Sequence, residues 1–140
     1  MTRYVVDANV AIKWVIPEVH DVAAQSLLQN QHELFVPDFF FPEIGNIFWK
    51  RVRRGDALLE EVKEDLENLL RLPLHVCDSQ WLLPQALDIA VRIQQAVYDC
   101  VYLTLAISQQ CQMVTADERF YNALQGDVLK RHLLWVEELL

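Results

Sequence analysis

Arg3-Tyr4-Val5-Val6-Asp7-Ala8-Asn9, at the start of the chain, is the stretch that decides the fold. Tyr4, Val5 and Val6 are β-prone and run straight into a carboxylate and a small pair. An apolar run of this length bounded by a polar residue reads as a short buried strand that ends at Asp7. In open parallel α/β sheets, ligands gather at the carboxyl ends of strands, which makes Asp7 a ligand candidate. Asp7 is equally a helix-cap candidate, because Asp and Asn are favoured N-cap residues and Val10 to Trp14 reads as a helical turn. Taken alone, the stretch leaves both readings open.

Working outward, the same strand-to-helix junction recurs. Glu18 to Asn30 reads as a helix with Pro17 at its start and an apolar face of Val22, Leu27 and Leu28. His32 to Val36 reads as a second strand stopped by Pro37. Pro42 then suits the first turn of a helix that ends in Lys50, Arg51, Arg53, Arg54 and Gly55. Asp56 is placed to cap a helix over Ala57 to Leu72, with Leu58, Leu59, Val62, Leu66, Leu69 and Leu70 as its apolar stripe. The short link makes these two helices a hairpin. Leu74 to Cys77 reads as a third strand, and Asp78 or Ser79 caps a helix to about Gln94. A further helix covers Tyr98 to Gln110. Gln112 to Thr115 is a fourth strand leading to Asp117 and a short helix to about Gln125, and Leu133 to Val136 is a fifth strand candidate. Strands alternating with helices imply an α/β/α sandwich on a parallel sheet of four or five strands, with the helical hairpin inserted.

Composition narrows the function classes. At 140 residues, 53% apolar and with three glycines, the chain is expected to be one domain over residues 1–140. No apolar run approaches the roughly 18 residues of a membrane span, and Asp7 and Lys13 interrupt any signal-like segment. A cytoplasmic protein with no membrane partner is the expectation. Cys77, Cys100 and Cys111 lack CxxC spacing, and His20, His32, His75 and His132 form no HxxxH pair, which fits reduced thiols and argues against zinc. A net charge of −8 excludes a broad polyanion-binding face. It leaves room for an acidic metal site with a local basic strip.

Four acids share the junction geometry: Asp7 ends strand one, Glu43 lies in the first turn of the helix after strand two, Asp99 opens a helix near Tyr98, and Asp117 follows strand four. Carboxyl ends of strands and amino ends of helices meet on one rim of such a sheet, so residues spread from 7 to 117 can converge. Two carboxylates about 5 Å apart repel by roughly 3 kcal/mol at an effective dielectric near 20. Four of them need protons or a cation. A hard divalent ion, Mg²⁺ or Mn²⁺, suits oxygen ligands and points to phosphodiester hydrolysis.

Val5-Val6-Asp7-Ala8-Asn9, Val36-Pro37 with Pro42-Glu43-Ile44-Gly45-Asn46, Tyr98-Asp99-Cys100-Val101-Tyr102-Leu103 and Val114-Thr115-Ala116-Asp117 resemble, in this order, the PIN domain. Among its members the chain is most similar to the single-domain VapC-type toxin ribonucleases. The resemblance covers essentially the whole chain. It implies a PIN-like fold and a metal-dependent endoribonuclease acting on RNA, with Asp7, Glu43, Asp99 and Asp117 as catalytic residues and ligands of Mg²⁺ or Mn²⁺. It also implies Asn9 and Thr115 as polar support groups, Asn9 standing where many members carry Ser or Thr. A homodimer and a small antitoxin partner are implied as well.

Each feature has a plainer reading. Glu43, Asp99 and Asp117 are also acids placed favourably at helix amino ends. Asp38 and Asp78 are read as caps or turn residues. Asn46, one turn after Glu43, either supports the acids by hydrogen bonding or is a solvated or structural Asn. Lys50, Arg51, Arg53 and Arg54 are either cations favoured at a helix carboxyl end or an RNA phosphate strip. Phe39, Phe40, Phe41, Phe48 and Trp49 are core, a base-stacking surface or an antitoxin groove. The rival functions are a Mg²⁺-dependent phosphatase or phosphotransferase on a similar sheet and a PIN-like module that binds RNA or protein without cutting. No second acid stands two residues after Asp7, where a haloacid-dehalogenase-like enzyme would want one.

Overall fold

In the computed structural model, which describes residues 2–29 and 31–140, the chain builds a five-stranded parallel sheet in the order β3-β2-β1-β4-β5. The strands are β1 (Arg3–Val6), β2 (Glu33–Pro37), β3 (His75–Cys77), β4 (Gln112–Thr115) and β5 (Leu133–Trp135). Between them run α1 (Ala8–Ala11), α2 (Asp21–Gln29), α3 (Phe40–Arg53), α4 (Leu59–Leu70), α5 (Leu83–Ile93), α6 (Val97–Ser108) and α7 (Glu118–Ala123). The PIN-like α/β/α plan expected from the sequence is what forms, with β5 in place.

β1 is the central strand, and its Val5 and Val6 are fully buried. It pairs with β2 on one side, Val5 level with Phe35, and with β4 on the other, Val6 level with Val114. Beyond β1 the connections run one way through β2 and β3, and beyond β4 the other way to β5. The crevice between the ends of β1 and β4 is therefore the point where strand order reverses, the usual ligand position in such sheets. Behind it lies α6, whose run from Cys100 to Ala106 is wholly buried. Apolar on every side, α6 is a core helix rather than a surface one. Its polar Thr104 is satisfied within the helix, the hydroxyl donating to the Cys100 carbonyl at 2.7 Å. Each such buried aliphatic contributes about 1.5–3 kcal/mol relative to exposure.

Several elements depart from the sequence reading. The helix expected over Glu18 to Asn30 begins at Asp21, because His20 has a left-handed φ of 69° that breaks the helix before it starts. Its far end, Asn30, lies outside the described residues. Its buried face is Ala23, Ala24 and Leu27, while Val22 and Leu28 are exposed. Pro37 does not stop β2 but completes it, level with Cys77. The pairing toward β1 has ended by Phe35, and the Asp38 N–H carries the ladder on to the Cys77 carbonyl, so the missing Pro N–H costs nothing. Asp56 does not cap α4. Gly55, at φ 80°, turns the chain, the Asp56 N–H bonds the Arg51 carbonyl, and α4 starts at Leu59. There Glu61 reaches back to the Leu58 N–H at 3.0 Å. Of the expected stripe, Val62 and Leu69 are buried, whereas Leu58, Leu59 and Leu70 face outward.

Among the described residues no helix is long and apolar enough to cross a membrane. Cys77, Cys100 and Cys111 are free thiols.

Candidate metal centre

The carboxyl rim of the sheet is assembled from four separate elements. Asp7 leaves β1 in extended conformation (φ −67°, ψ 146°) and turns the chain into α1, its Oδ1 accepting the Asn9 N–H at 3.4 Å. Its side chain is only 2% exposed. Glu43 is in the first turn of α3 and Asp99 in the first turn of α6. Asp117 follows β4 and caps α7, accepting the Arg119 and Phe120 N–H groups at 2.9 and 3.2 Å. Glu43, Asp99 and Asp117 are half-buried. All four acids thus stand at helix starts, two of them, Asp7 and Asp117, as N-caps.

The acids feel one another. Burial raises the Asp7 carboxyl first, then the charges of Asp99, Glu43 and Asp117, against the Asn9 N–H, and together they push it to about 8. Burial and then Asp117 push Asp99 to about 6. Glu43 is raised by burial, is held back by a hydrogen bond from Tyr102, and is raised again by Asp99. Among the described residues no Lys, Arg or His pairs with any of the four; the nearby candidate Lys13 is taken by Glu18 at 2.7 Å. A buried carboxylate beside three others with no cation is an uncompensated arrangement.

That donor set fits a hard divalent cation: carboxylate oxygens only, no sulfur or imidazole, partly shielded from water. Among the described residues no three His, Cys, Asp or Glu side chains are grouped closely enough to hold a metal ion as they stand.

The supporting groups are placed unevenly. Thr115 is fully buried, and its Oγ1 accepts the Asp117 N–H at 3.1 Å, fixing that acid's backbone. Asn9 contributes its backbone N–H to Asp7, while its side chain is exposed. Asn46 is exposed on the face of α3 that carries Glu43 and lines a cleft with it. Lys50, Arg51, Arg53 and Arg54 end the same helix, roughly 10–16 Å further along its axis at about 1.5 Å per residue. They do not join the acid rim; the Arg53 guanidinium lies over the Trp49 ring at 5.2 Å. Phe40 and Phe48 are core, whereas Trp49 is 54% exposed. Asp38 proves to be a turn residue, accepting the Ser79 N–H at 3.1 Å, and Asp78 caps the turn before α5 by accepting the Gln80 N–H.

Sequence reasoning missed Tyr102. Its ring is fully buried in α6 and its hydroxyl donates to Glu43 Oε1 at 2.6 Å, across 59 positions of chain. A buried phenol needs a partner, but nothing in the sequence says which one it takes. Burial and the Asp7 and Glu43 charges raise its pKa, so it stays a donor.

Comparison with known proteins agrees with this fold. A family model described as the PIN domain matches residues 4–124. The chain is 29% identical to Ribonuclease VapC3 of Pyrobaculum aerophilum over 119 residues, 84% of this chain and 91% of that protein. The crystal structure of PAE2754 from Pyrobaculum aerophilum superposes with a TM-score of 0.76 at 22% identity, covering 99% of this chain and 86% of that one. VapBC2 from Rickettsia felis, solved bound to a DNA fragment from its promoter, gives a TM-score of 0.60 at 11% identity, covering 96% and 98%. The two structures bear on the fold alone.

Proposed function

The chain belongs to the PIN domain family, and from that premise we propose that it is a metal-dependent endoribonuclease, the toxin of a toxin–antitoxin pair. The observation that carries the nuclease reading is the buried Asp7 carboxyl, pressed by three further acids with no cation beside it. The ribonuclease name of its Pyrobaculum relative supports RNA as substrate. A second copy of the chain completes the reading as a homodimer, with residues 1–140 acting as one nuclease domain.

Asp7, Glu43, Asp99 and Asp117 would hold Mg²⁺ or Mn²⁺. Bound there, the ion supplies positive charge to the scissile phosphate and acidifies an attacking water. The chain's own residues set the geometry. The Asn9 N–H and full burial fix Asp7, Tyr102 fixes Glu43, and Thr115 with the α7 amino end fixes Asp117. Among the described residues no hydrogen bond holds the Asp99 side chain, which would leave its carboxylate oxygens available to the ion. Lys50, Arg51, Arg53 and Arg54 are offered to the flanking phosphates of a strand that leaves the rim along α3.

The test is cleavage of a pool of single-stranded and structured RNAs with Mg²⁺ or Mn²⁺, with chelator, and with a small phosphate ester alongside. Metal-dependent RNA cutting lost in Asp7→Asn and Asp99→Asn is expected. Turnover of the ester without RNA cutting would replace the reading with a phosphatase.

A further inference from the structure

Resting on the ribonuclease reading, we propose that the cleft lined by Phe39, Pro42, Glu43, Asn46 and Tyr98 binds an unpaired nucleobase next to the scissile phosphate. The cleft measures about 370 Å³, in the range of small-ligand sites. It shares Glu43 with the acid rim, and Tyr98 immediately precedes Asp99, so an occupant here is a direct neighbour of whatever the acids hold.

The wall is an organised aromatic surface. Tyr98 is 63% exposed, yet its ring is fixed edge-on against Phe39 at 5.3 Å and 80°. Phe39 in turn meets Tyr102 at 5.5 Å and 88°, and Tyr102 bonds Glu43. Tyr98 is therefore the outer end of a rigid series of contacts that begins at one of the acids. A fixed aromatic with most of its surface free is a stacking platform, and stacking on such rings holds bases of single strands.

The polar lining selects the ligand class. Among the described residues no Lys, Arg or His lines the cleft, and the one carboxylate there is Glu43. An anion such as a phosphate has no partner there; a neutral flat heterocycle does. Asn46 lies three residues after Glu43 on α3, exposed, and its carboxamide carries both donors and an acceptor. That pairing matches the edge of a base, adenine's most closely.

The test uses single-stranded RNA carrying 2-aminopurine in turn at each position flanking the cut, mixed with the Mn²⁺-loaded protein and followed by fluorescence and cleavage. Stacking quenches the probe, and quenching at one position before cleavage is expected. Tyr98→Ala should abolish that quench and raise KM about tenfold with kcat within about threefold. Tyr98→Phe should restore both, and Asn46→Ala should change which base is preferred at that position. A Mn²⁺-induced rise in Tm equal to that of the wild type would show that the acid rim of Tyr98→Ala is intact. Wild-type cutting with unchanged quench and KM in Tyr98→Ala overturns the base site and leaves the nuclease standing. A wild type that neither binds nor cuts any RNA removes the ribonuclease reading and this site with it.

Discussion

Asp7 and Asp127 hold the same local job in opposite surroundings. Each is itself extended and caps a short helical segment with its Oδ1, Asp7 accepting the Asn9 N–H and Asp127 the Leu129 N–H. At Asp127 the Arg92 guanidinium closes on the carboxylate and holds it below the usual carboxylate range. At Asp7 there is burial, three more acids and no cation, and the carboxyl is pushed to about 8. Asp38 sides with Asp127, lowered by its bonds to Ser79. Capping alone therefore does not decide how a carboxylate titrates in this fold; burial, neighbouring charge and hydrogen bonds do.

The largest test of that contrast is activity. Asp7→Asn and Asp99→Asn should each lower RNA cleavage by roughly a hundredfold to a thousandfold, the range for loss of a principal electrostatic group. Asp38→Asn and Asp127→Asn should leave it within about threefold. Equal losses at all four acids would erase the distinction.

Next in size is the effect of pH on the metal-free protein. The folded Asp7 keeps its proton up to about 8, while the unfolded one loses it near 3.8. Between these values the folded state binds more protons, so its stability falls as pH rises from about 4 to 8. In chelator at pH 8, Asp7→Asn should unfold at higher denaturant than the wild type, by on the order of 3 kcal/mol. At pH 4 the two should converge. A smaller effect is expected at Tyr102→Phe, which removes the donor to Glu43 and keeps the ring that fills the core. Mn²⁺ affinity should fall roughly tenfold by calorimetry, as for loss of a group that orients a ligand, with little change in Tm. The smallest is Asp127→Asn, which keeps an N-cap acceptor but loses the ion pair with Arg92 and should cost at most about 1 kcal/mol in thermal unfolding without touching Mn²⁺ binding.

What could be read from the sequence follows from how local its causes are. β4 and β5 were legible because short β-branched and apolar runs bounded by polar residues decide them. The acid rim was legible because strand-end acids recur at fixed junctions. The start of α2 was not, since His20 takes a left-handed conformation that no neighbour announces. The outward Leu58, Leu59 and Leu70 were misjudged because α4 packs through a narrower face than its leucines offer. Tyr102 was invisible for a different reason: its partner is fixed only by tertiary packing. Asn9 kept its position in the motif but acts through backbone where a side chain was expected.

The most direct measurement is calorimetric titration of Mn²⁺ into wild type, Asp7→Asn and Asp127→Asn at pH 7 in buffers of different ionisation enthalpy. An acid rim that trades its protons for a cation requires binding by wild type and Asp127→Asn with release of protons, and loss of both in Asp7→Asn. Binding to Asp7→Asn with undiminished affinity, or no proton release from wild type, would show that the cation, if bound, sits elsewhere and that the buried Asp7 serves the fold alone.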